Sequence, residues 1–248
     1  MDHPKLVAQF QAQIMRESPG LSTRLPSHIR IVANDWAMVT GTTLTLQDAD
    51  DAILAEVALF RTLNRDFEWK VYSWDTPSDL KERLVRNGFQ QGDEEALMVF
   101  DLAQDIGHWE SPHQAVKVST NQHIEDFRSV EHQLGSERSF LNEVIDSLQR
   151  GDNEAMGFVA YLEERPVSIA RLNCHPESPF GGCYGGSTLP EFRRMGFYRS
   201  LLLARAQEAK RLGVQYLQVD SLPTSRPILE RLGFEQIGST WPFTWSPG

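Results

Sequence analysis

The sequence predicts a mixed α/β fold built from two related halves, and three observations carry that expectation. Segments patterned as strands and as helices alternate along the whole chain. The second half orders them as strand, two helices, antiparallel strands, then strand-helix-strand-helix-strand, a mixed α/β order. Finally, "EWKVYSWDTPSDLKERLVRNGF" and "VQYLQVDSLPTSRPILERLGF" each read strand, Ser/Asp/Pro/Thr turn, short Glu-Arg-Leu helix and closing Gly-Phe, and each falls near the end of its half. At 248 residues the chain exceeds the usual size of one domain, so two are expected. The boundaries placed from sequence are a first domain over 1–103, a linker over 104–113 and a second domain over 114–248.

The elements follow from periodicity. Leu6, Val7, Phe10 and Ile14 recur at helical spacing, so the chain opens on an amphipathic helix. "HIRIVAN" and "WAMVTGTTLTL" are β-rich runs, and "DADDAILAEVALFRTLN" is a helix whose aspartates crowd its start, where the macrodipole favours them. "FEWKVYSW" alternates as a strand, "SDLKERLVRNGF" is a short helix ending at Asn87-Gly88, and "EALMVFDL" returns to strand. "AQDIGHWESPHQ" has turn residues and no apolar period, which makes it the linker. Beyond it come strand "AVKVST", helices "NQHIEDFRSVEHQL" and "SERSFLNEVIDSLQ", and a hairpin from "MGFVAYLEE" to "RPVSIARLNC" turning at Glu163 to Pro166. "CYGGSTLP" is a strand, the stretch from Phe197 a helix, "VQYLQVDS" a strand, "SRPILERLGF" a short helix, and the tail a last strand or two.

Composition narrows function. Hydrophobic residues are 40% and charged residues 23%, ordinary values that allow a core and leave little room for a long disordered tail. A formal net charge of -10 argues against non-specific binding to DNA or acidic membranes. No apolar run approaches the length of a membrane span, and the N-terminal stretch lacks a signal-peptide core. The expectation is a cytoplasmic protein, and two cysteines, Cys174 and Cys183, provide no disulfide framework.

"LPEFRRMGFYRSLLLARAQEAKRLG" sets an electrostatic conflict. Arg193, Arg194 and Arg199 crowd Gly196 at the start of an amphipathic helix, the end that already carries partial positive charge. A bound anion resolves the conflict: helix-start amides and guanidinium groups together suit a diphosphate. Otherwise Gly196 only turns the chain and the arginines are solvated.

The flanking order, "STLPEFRRMGFYRSLL" and then a strand and "SRPILERLGFE", resembles the GCN5-related N-acetyltransferase (GNAT) superfamily from about Gln114 to the C-terminus. The pyrophosphate loop of that family, Arg/Gln-x-x-Gly-x-Gly/Ala, stands here as Arg193, Arg194, Met195, Gly196, Phe197 and Tyr198. The resemblance implies an acyl-CoA N-acyltransferase fold, a mixed sheet splayed open at the cofactor. It implies that Gly186, Ser187 and Thr188 pair with the pantetheine amides of acetyl-CoA, while the loop amides, with Arg199 beside them, take its diphosphate. Acetyl-CoA is then a co-substrate, with no metal, and an amine on a small molecule or peptide attacks directly in a ternary complex. Neither nucleic acid nor membrane is an expected partner, and the protein is a monomer or a homodimer. The first half resembles a degenerate copy, with Gln47 and aspartates where the loop would stand; it is expected to bind no CoA and to wall the substrate cleft or fix domain placement.

Two residues depart from the family pattern. Tyr198 replaces a small residue, and Leu229 stands where many members carry a tyrosine that protonates the leaving thiolate. The general acid is therefore open, with Ser225 and Tyr198 as weak candidates, and the general base equally so among Glu191, His175 and Asp220. Loss of the acid also fits a different class, a non-catalytic acyl-CoA-binding regulatory module. "GGCYGGST" lacks the lysine of a nucleotide-hydrolysing loop, and its glycines suit a strand bulge instead. Cys174, His175 and Cys183, or His108, Glu110 and His113, lack a recognised metal-ligand spacing. The aromatics of "STWPFTW" line either an acceptor pocket or a core.

Overall fold

The computed structural model describes residues 2–15, 22–33, 36–135 and 140–248. The first elements are α1 (His3–Ile14), β1 (Ser22–Arg24), β2 (Ile29–Val32), β3 (Ala37–Thr40), α2 (Ala49–Thr62), β4 (Phe67–Tyr72), α3 (Leu80–Arg86), β5 (Gln90–Gln91) and β6 (Glu95–Asp101). After a 3-10 turn at Gly107–Trp109 come β7 (Ala115–Lys117), α4 (Asn121–Gln133), α5 (Leu141–Arg150), β8 (Ala155–Leu162), β9 (Arg165–Cys174) and β10 (Phe180–Thr188). A second 3-10 turn, Pro190–Phe192, leads to α6 (Phe197–Arg211), β11 (Tyr216–Ser221), α7 (Arg226–Arg231) and β12 (Glu235–Trp245).

Packing divides the chain into two compact units, one made of 1–97, 221–226 and 236–248, the other of 98–220 and 227–235. This differs from the sequential expectation of 1–103 and 114–248. The C-terminal strand lies in the first unit because Thr240 to Trp245 pair antiparallel with Tyr72 to Phe67 of β4. Alternation reveals that a segment is a strand but not which neighbour it joins. The expected linker over 104–113 also carries structure: Trp109 is fully buried, its ring is stacked with Phe234 at 5.6 Å between centroids, and its Nε1 donates to Leu232 O at 2.9 Å.

In the first unit the strands run β1-β2-β3-β4-β12, with β5 also on β12. Parallel pairing of β3 with β4 requires a crossover, and α2 provides it. The buried stripe Ala49, Ile53, Val57 and Phe60 is the i, i+4 pattern of an amphipathic helix. It packs with Trp69, Leu80, Leu84 and Phe89; the Phe60 and Phe67 rings stack at 4.1 Å. Phe243 and Trp245 belong to this core, which decides their role in favour of packing. The strand expected through Leu46 stops at Thr40, where Gly41 turns with φ +65°.

In the second unit the order is β6-β11-β10-β9-β8-β7. The β8/β9 hairpin turns where expected, with Glu163 at φ 55°. Helices α4 and α5 cover the sheet face that includes Gly157, opposite Arg171, where Val118, Phe127 and Val144 gather. On the other face α6 buries Leu201, Leu202, Ala206 and Ala209. The parallel pairing of β10 with β11 runs from Phe180↔Tyr216 to Gly182↔Gln218, while β10 continues to Thr188 and β11 to Ser221. The sheet forks there, and β10 bulges between Tyr184 and Ser187 with Gly185 at φ +59°.

Candidate functional site

The turn from β10 to α6 combines two left-handed residues, Arg194 at φ 65° and Gly196 at φ 98°. Only glycine adopts the second without strain. Gly196 stands at the helix N-cap, where no side chain caps the helix, and no acid occupies the first turn. The first intrahelical bond is from Ser200 N to Gly196 O at 3.1 Å. Among the described residues the amides of Met195, Gly196, Phe197, Tyr198 and Arg199 donate to nothing in the protein. Orphan donors at a helix start are expected, and α2, α3 and α5 also lack a side-chain cap bond, but those three carry acids in the first turn and α6 has neither.

Their direction is fixed from behind. His113 Nε2 donates to Met195 O at 2.9 Å and Ser111 Oγ to Gly196 O at 3.2 Å, while the His113 ring stacks on Phe197 at 3.9 Å between centroids. In a planar trans peptide the N–H points opposite to the C=O. Holding these two carbonyls therefore aims the Gly196 and Phe197 amides away from the 111–113 segment. This strap was missed in the sequence reading, where His113 entered only within a rejected metal set. Nothing in the spacing of a Ser-Pro-His segment identifies the carbonyls it will hold.

Arg193, Arg194 and Arg199 are exposed, and among the described residues none has an ion-pair partner. Arg193 Nε donates to Thr188 O at 3.2 Å and Arg199 Nη1 to Glu110 O at 3.4 Å. Three cations thus surround a helix start with no anionic side chain paired to them. Gly186, Ser187 and Thr188 lie on β10 beyond the fork; Ser187 and Thr188 pair with Ile169 and Ser168 of β9, and no pairing with β11 extends to them.

The Tyr198 side chain turns inward against β10. A Cβ at Gly186 would lie 3.3 Å from its ring. Burial pushes the phenol pKa up, partly offset by the Arg205 guanidinium, with the Cys183 thiol adding to the rise. Glu191 is exposed and paired with Arg165 at 3.0 Å. Ser225 precedes α7, with its Oγ donating to Leu222 O at 3.2 Å. Leu229 is fully buried, and its carbonyl accepts the amides of Leu232 and Phe234, so it anchors the closing turn. Asp220 lies on β11, and His175 just past β9, where its Nδ1 accepts the Glu177 amide at 3.5 Å. Burial pushes Cys174 up to about 12 and also raises Cys183, so neither thiol is a ready nucleophile.

Arg205 is a second residue absent from the sequence reading. It is 1% exposed, four positions after Leu201 within the inward stripe, with Nε donating to Leu201 O at 3.1 Å and Nη1 to Arg171 O at 3.4 Å. Its position on the stripe was a usable signal, overridden by its charge.

Residues 120–234 match the model of the acetyltransferase (GNAT) family. No curated protein sequence matches the chain. Among solved structures, a GCN5-related N-acetyltransferase from Kribbella flavida is similar over 100% of this chain and 96% of its own, with TM-score 0.72 and 14% identity. A functionally unknown conserved protein from Staphylococcus epidermidis is similar over 94% and 96%, with TM-score 0.67 and 15% identity. A tandem GNAT protein from the clavulanic acid biosynthesis pathway is similar over 100% and 96%, with TM-score 0.61 and 12% identity. These likenesses show the fold, the mixed-sheet acyl-CoA N-acyltransferase architecture. No helix among the described residues is long and apolar enough to cross a membrane.

Proposed function

We propose that the protein, whose residues 120–234 match the model of the acetyltransferase (GNAT) family, is an acetyl-CoA-dependent N-acetyltransferase acting on an amine. One observation carries the reading: the amides from Met195 to Arg199 are uncapped, those of Gly196 and Phe197 are aimed away from the His113 strap, and around them stand three cations that lack an ion-pair partner among the described residues. That donor set fits a diphosphate. The β10 edge beyond Gly182, no longer paired to β11, offers Gly186, Ser187 and Thr188 to a ligand carrying amides of its own. When bound, acetyl-CoA supplies an acetyl group activated as a thioester.

The chain's own residues then bind, orient and move protons. The two buried thiols, with raised pKa values, argue against a covalent cysteine route and support direct transfer in a ternary complex. Leu229 supplies no proton. Of the candidate acids, Tyr198 lies against β10 and carries its proton at neutral pH, while the burial that raises its pKa makes it a weaker donor than an exposed phenol. Leu229 also favours a second reading, a non-catalytic acyl-CoA-binding module. The first half is proposed as a degenerate copy of the same fold, supported by its strand-helix-strand crossover from β3 through α2 to parallel β4.

Thermal unfolding with acetyl-CoA, CoA and ATP tests the assignment: stabilisation by both CoA species is expected, as for any ligand that binds only the folded state. No shift with either overturns both readings. Thiol release from acetyl-CoA across a panel of amines separates them, since a binding module gives the shift without acceptor-dependent release.

A further inference from the structure

Across the fork of the second unit, one sheet face carries a file of polar side chains that neither the fold nor the cofactor loop requires. Register places Asn173, Gly182 and Gln218 in one row over β9, β10 and β11, with Arg171 opposite Tyr184 one step along. Asp220, two residues past Gln218, is on the same face. Because Arg171 opposes Gly157, this is the face covered by α4 and α5.

Three buried polar atoms in the file have no hydrogen-bond partner among the described residues: Arg171 Nε, Asn173 Oδ1 and Gln218 Oε1. Arg171 is 8% and Gln218 5% exposed. A buried polar group without a partner costs stability, so three on one face call for an explanation. Gly182 leaves a slot between Asn173 and Gln218, occupied by the Tyr184 ring: a Cβ there would fall 2.4 Å from the ring and 2.7 Å from its hydroxyl. Gln218 Nε2 donates to that hydroxyl, which places Gln218 Oε1 on the free side of the amide.

The charge around the file selects its ligand. Arg171 is ion-paired with Glu143 at 2.5 Å, packs over the Phe140 ring at 4.2 Å, and also feels Glu131. With Asp220 on the same face, carboxylates outnumber the one guanidinium, which favours a cationic amine. The two amide oxygens accept N–H or O–H donors. Arg171 Nε–H needs an acceptor, and the neighbouring Glu143 and Glu131 would repel a carboxylate, so a neutral oxygen suits it.

We propose that Arg171, Asn173, Tyr184 and Gln218 form the acceptor-recognition subsite, and that the acceptor is an amino alcohol, a primary amine with a hydroxyl close to it. This rests on the acetyltransferase reading. The site lies where β10 and β11 part, beside the strand proposed to align the thioester, so an amine held there is presented to the acetyl group. The ammonium first releases one proton to solvent; the amine nitrogen then forms the new amide bond as the thioester C–S bond breaks, and the second N–H proton passes to the departing thiolate through solvent or a side chain, so that one proton is released per turnover.

The test is acceptor-dependent thiol release by the full chain with acetyl-CoA and three probes: glucosamine, n-propylamine and alanine. The wild-type protein is expected to favour glucosamine by about tenfold or more in kcat/KM over both others. Gln218→Met should lose about tenfold with glucosamine through its KM, erase the preference over propylamine, and leave the KM for acetyl-CoA within about twofold. If Gln218→Met does not fold, Asn173→Leu at its less buried position carries the same expectation. Equal use of glucosamine and propylamine, or an unchanged preference in the variants, overturns the inference. Stabilisation by CoA with no preference for glucosamine removes this proposal alone, whereas no stabilisation by CoA removes the acetyltransferase reading with it.

Discussion

Two helices of the molecule follow a strand and carry the chain to a parallel neighbour, yet they start in opposite ways. At α2 the N-cap is Asp48, followed by Ala49, Asp50 and Asp51; at α6 it is Gly196, followed by Phe197, Tyr198 and Arg199. Asp48 Oδ1 accepts the Thr45 amide at 2.6 Å, Thr45 Oγ1 accepts the Asp48 amide at 3.3 Å, and Asp50 pairs with Arg83 at 2.6 Å. No side chain caps the α2 amides either, but the acids at its start complement the dipole and repel any phosphate. The start of α6 has every local reason to be unstable alone, with cations at a positive pole and no cap. One helix start carries its own counter-charge, and the other, under the proposed function, receives it from a diphosphate.

The largest expected break of that contrast is Gly196→Glu, which puts a side chain at φ 98° and directs it at the strap, its Cβ 3.4 Å from Ser111 Oγ. CoA affinity should fall by at least about 100-fold, from backbone strain and displacement of the strap together, as read by calorimetric titration; Gly196→Ala separates strain from bulk. Next is Tyr198→Phe, which keeps every backbone contact. If Tyr198 donates the proton, kcat falls by about 100-fold while CoA affinity holds; an unchanged kcat assigns it to packing. Arg194→Ala should weaken CoA by about tenfold, the loss of one exposed charge-assisted contact, and the loss should shrink as salt rises.

A smaller effect separates the units by pH. In the second, hydrogen bonding by Arg211, with Lys117 also contributing, holds Glu208 at about 2. Its stabilisation, about 1–2 kcal/mol after allowing for screening, is present above the ordinary carboxylate pKa and is lost as pH falls from about 5 towards 2. In the first, burial raises Asp75 to about 7, against the amides of Tyr72 and Thr42 that it accepts. There the sign reverses: no penalty exists below pH 4, and one builds as pH rises through 7. Urea unfolding at pH 3 and pH 8 should show Glu208→Gln costing stability only at the higher pH, and Asp75→Asn gaining it only there. The least effect is that of Asp48→Ala, about 0.5 kcal/mol off stability from a lost charge at the helix start, with CoA binding untouched; any loss of CoA affinity would mean that the α2 start also takes part.

Much of this was legible in the sequence because the signals are local. Gly196, its arginines and the stripe of α6 sit within one helix, as do the aspartates of α2. The glycines of "GGCYGGST" gave the bulge, although where β10 and β11 stop pairing depends on two segments far apart in sequence. Long-range choices were not legible: the partner of β12, the burial of Trp109, and the hold of His113 and Ser111 on the loop carbonyls are all set by tertiary packing. Arg205 and the file from Arg171 to Gln218 were hidden for another reason, since polar residues on a strand or helix read as solvent-facing until the covering elements are known.

The fork between β10 and β11 has one more implication. From Gly185 to Thr188 the side of β10 away from β9 is a strand edge, a row of amide and carbonyl groups ready to add another chain. Protein purified without a CoA species should therefore self-associate more readily on storage than protein kept with one.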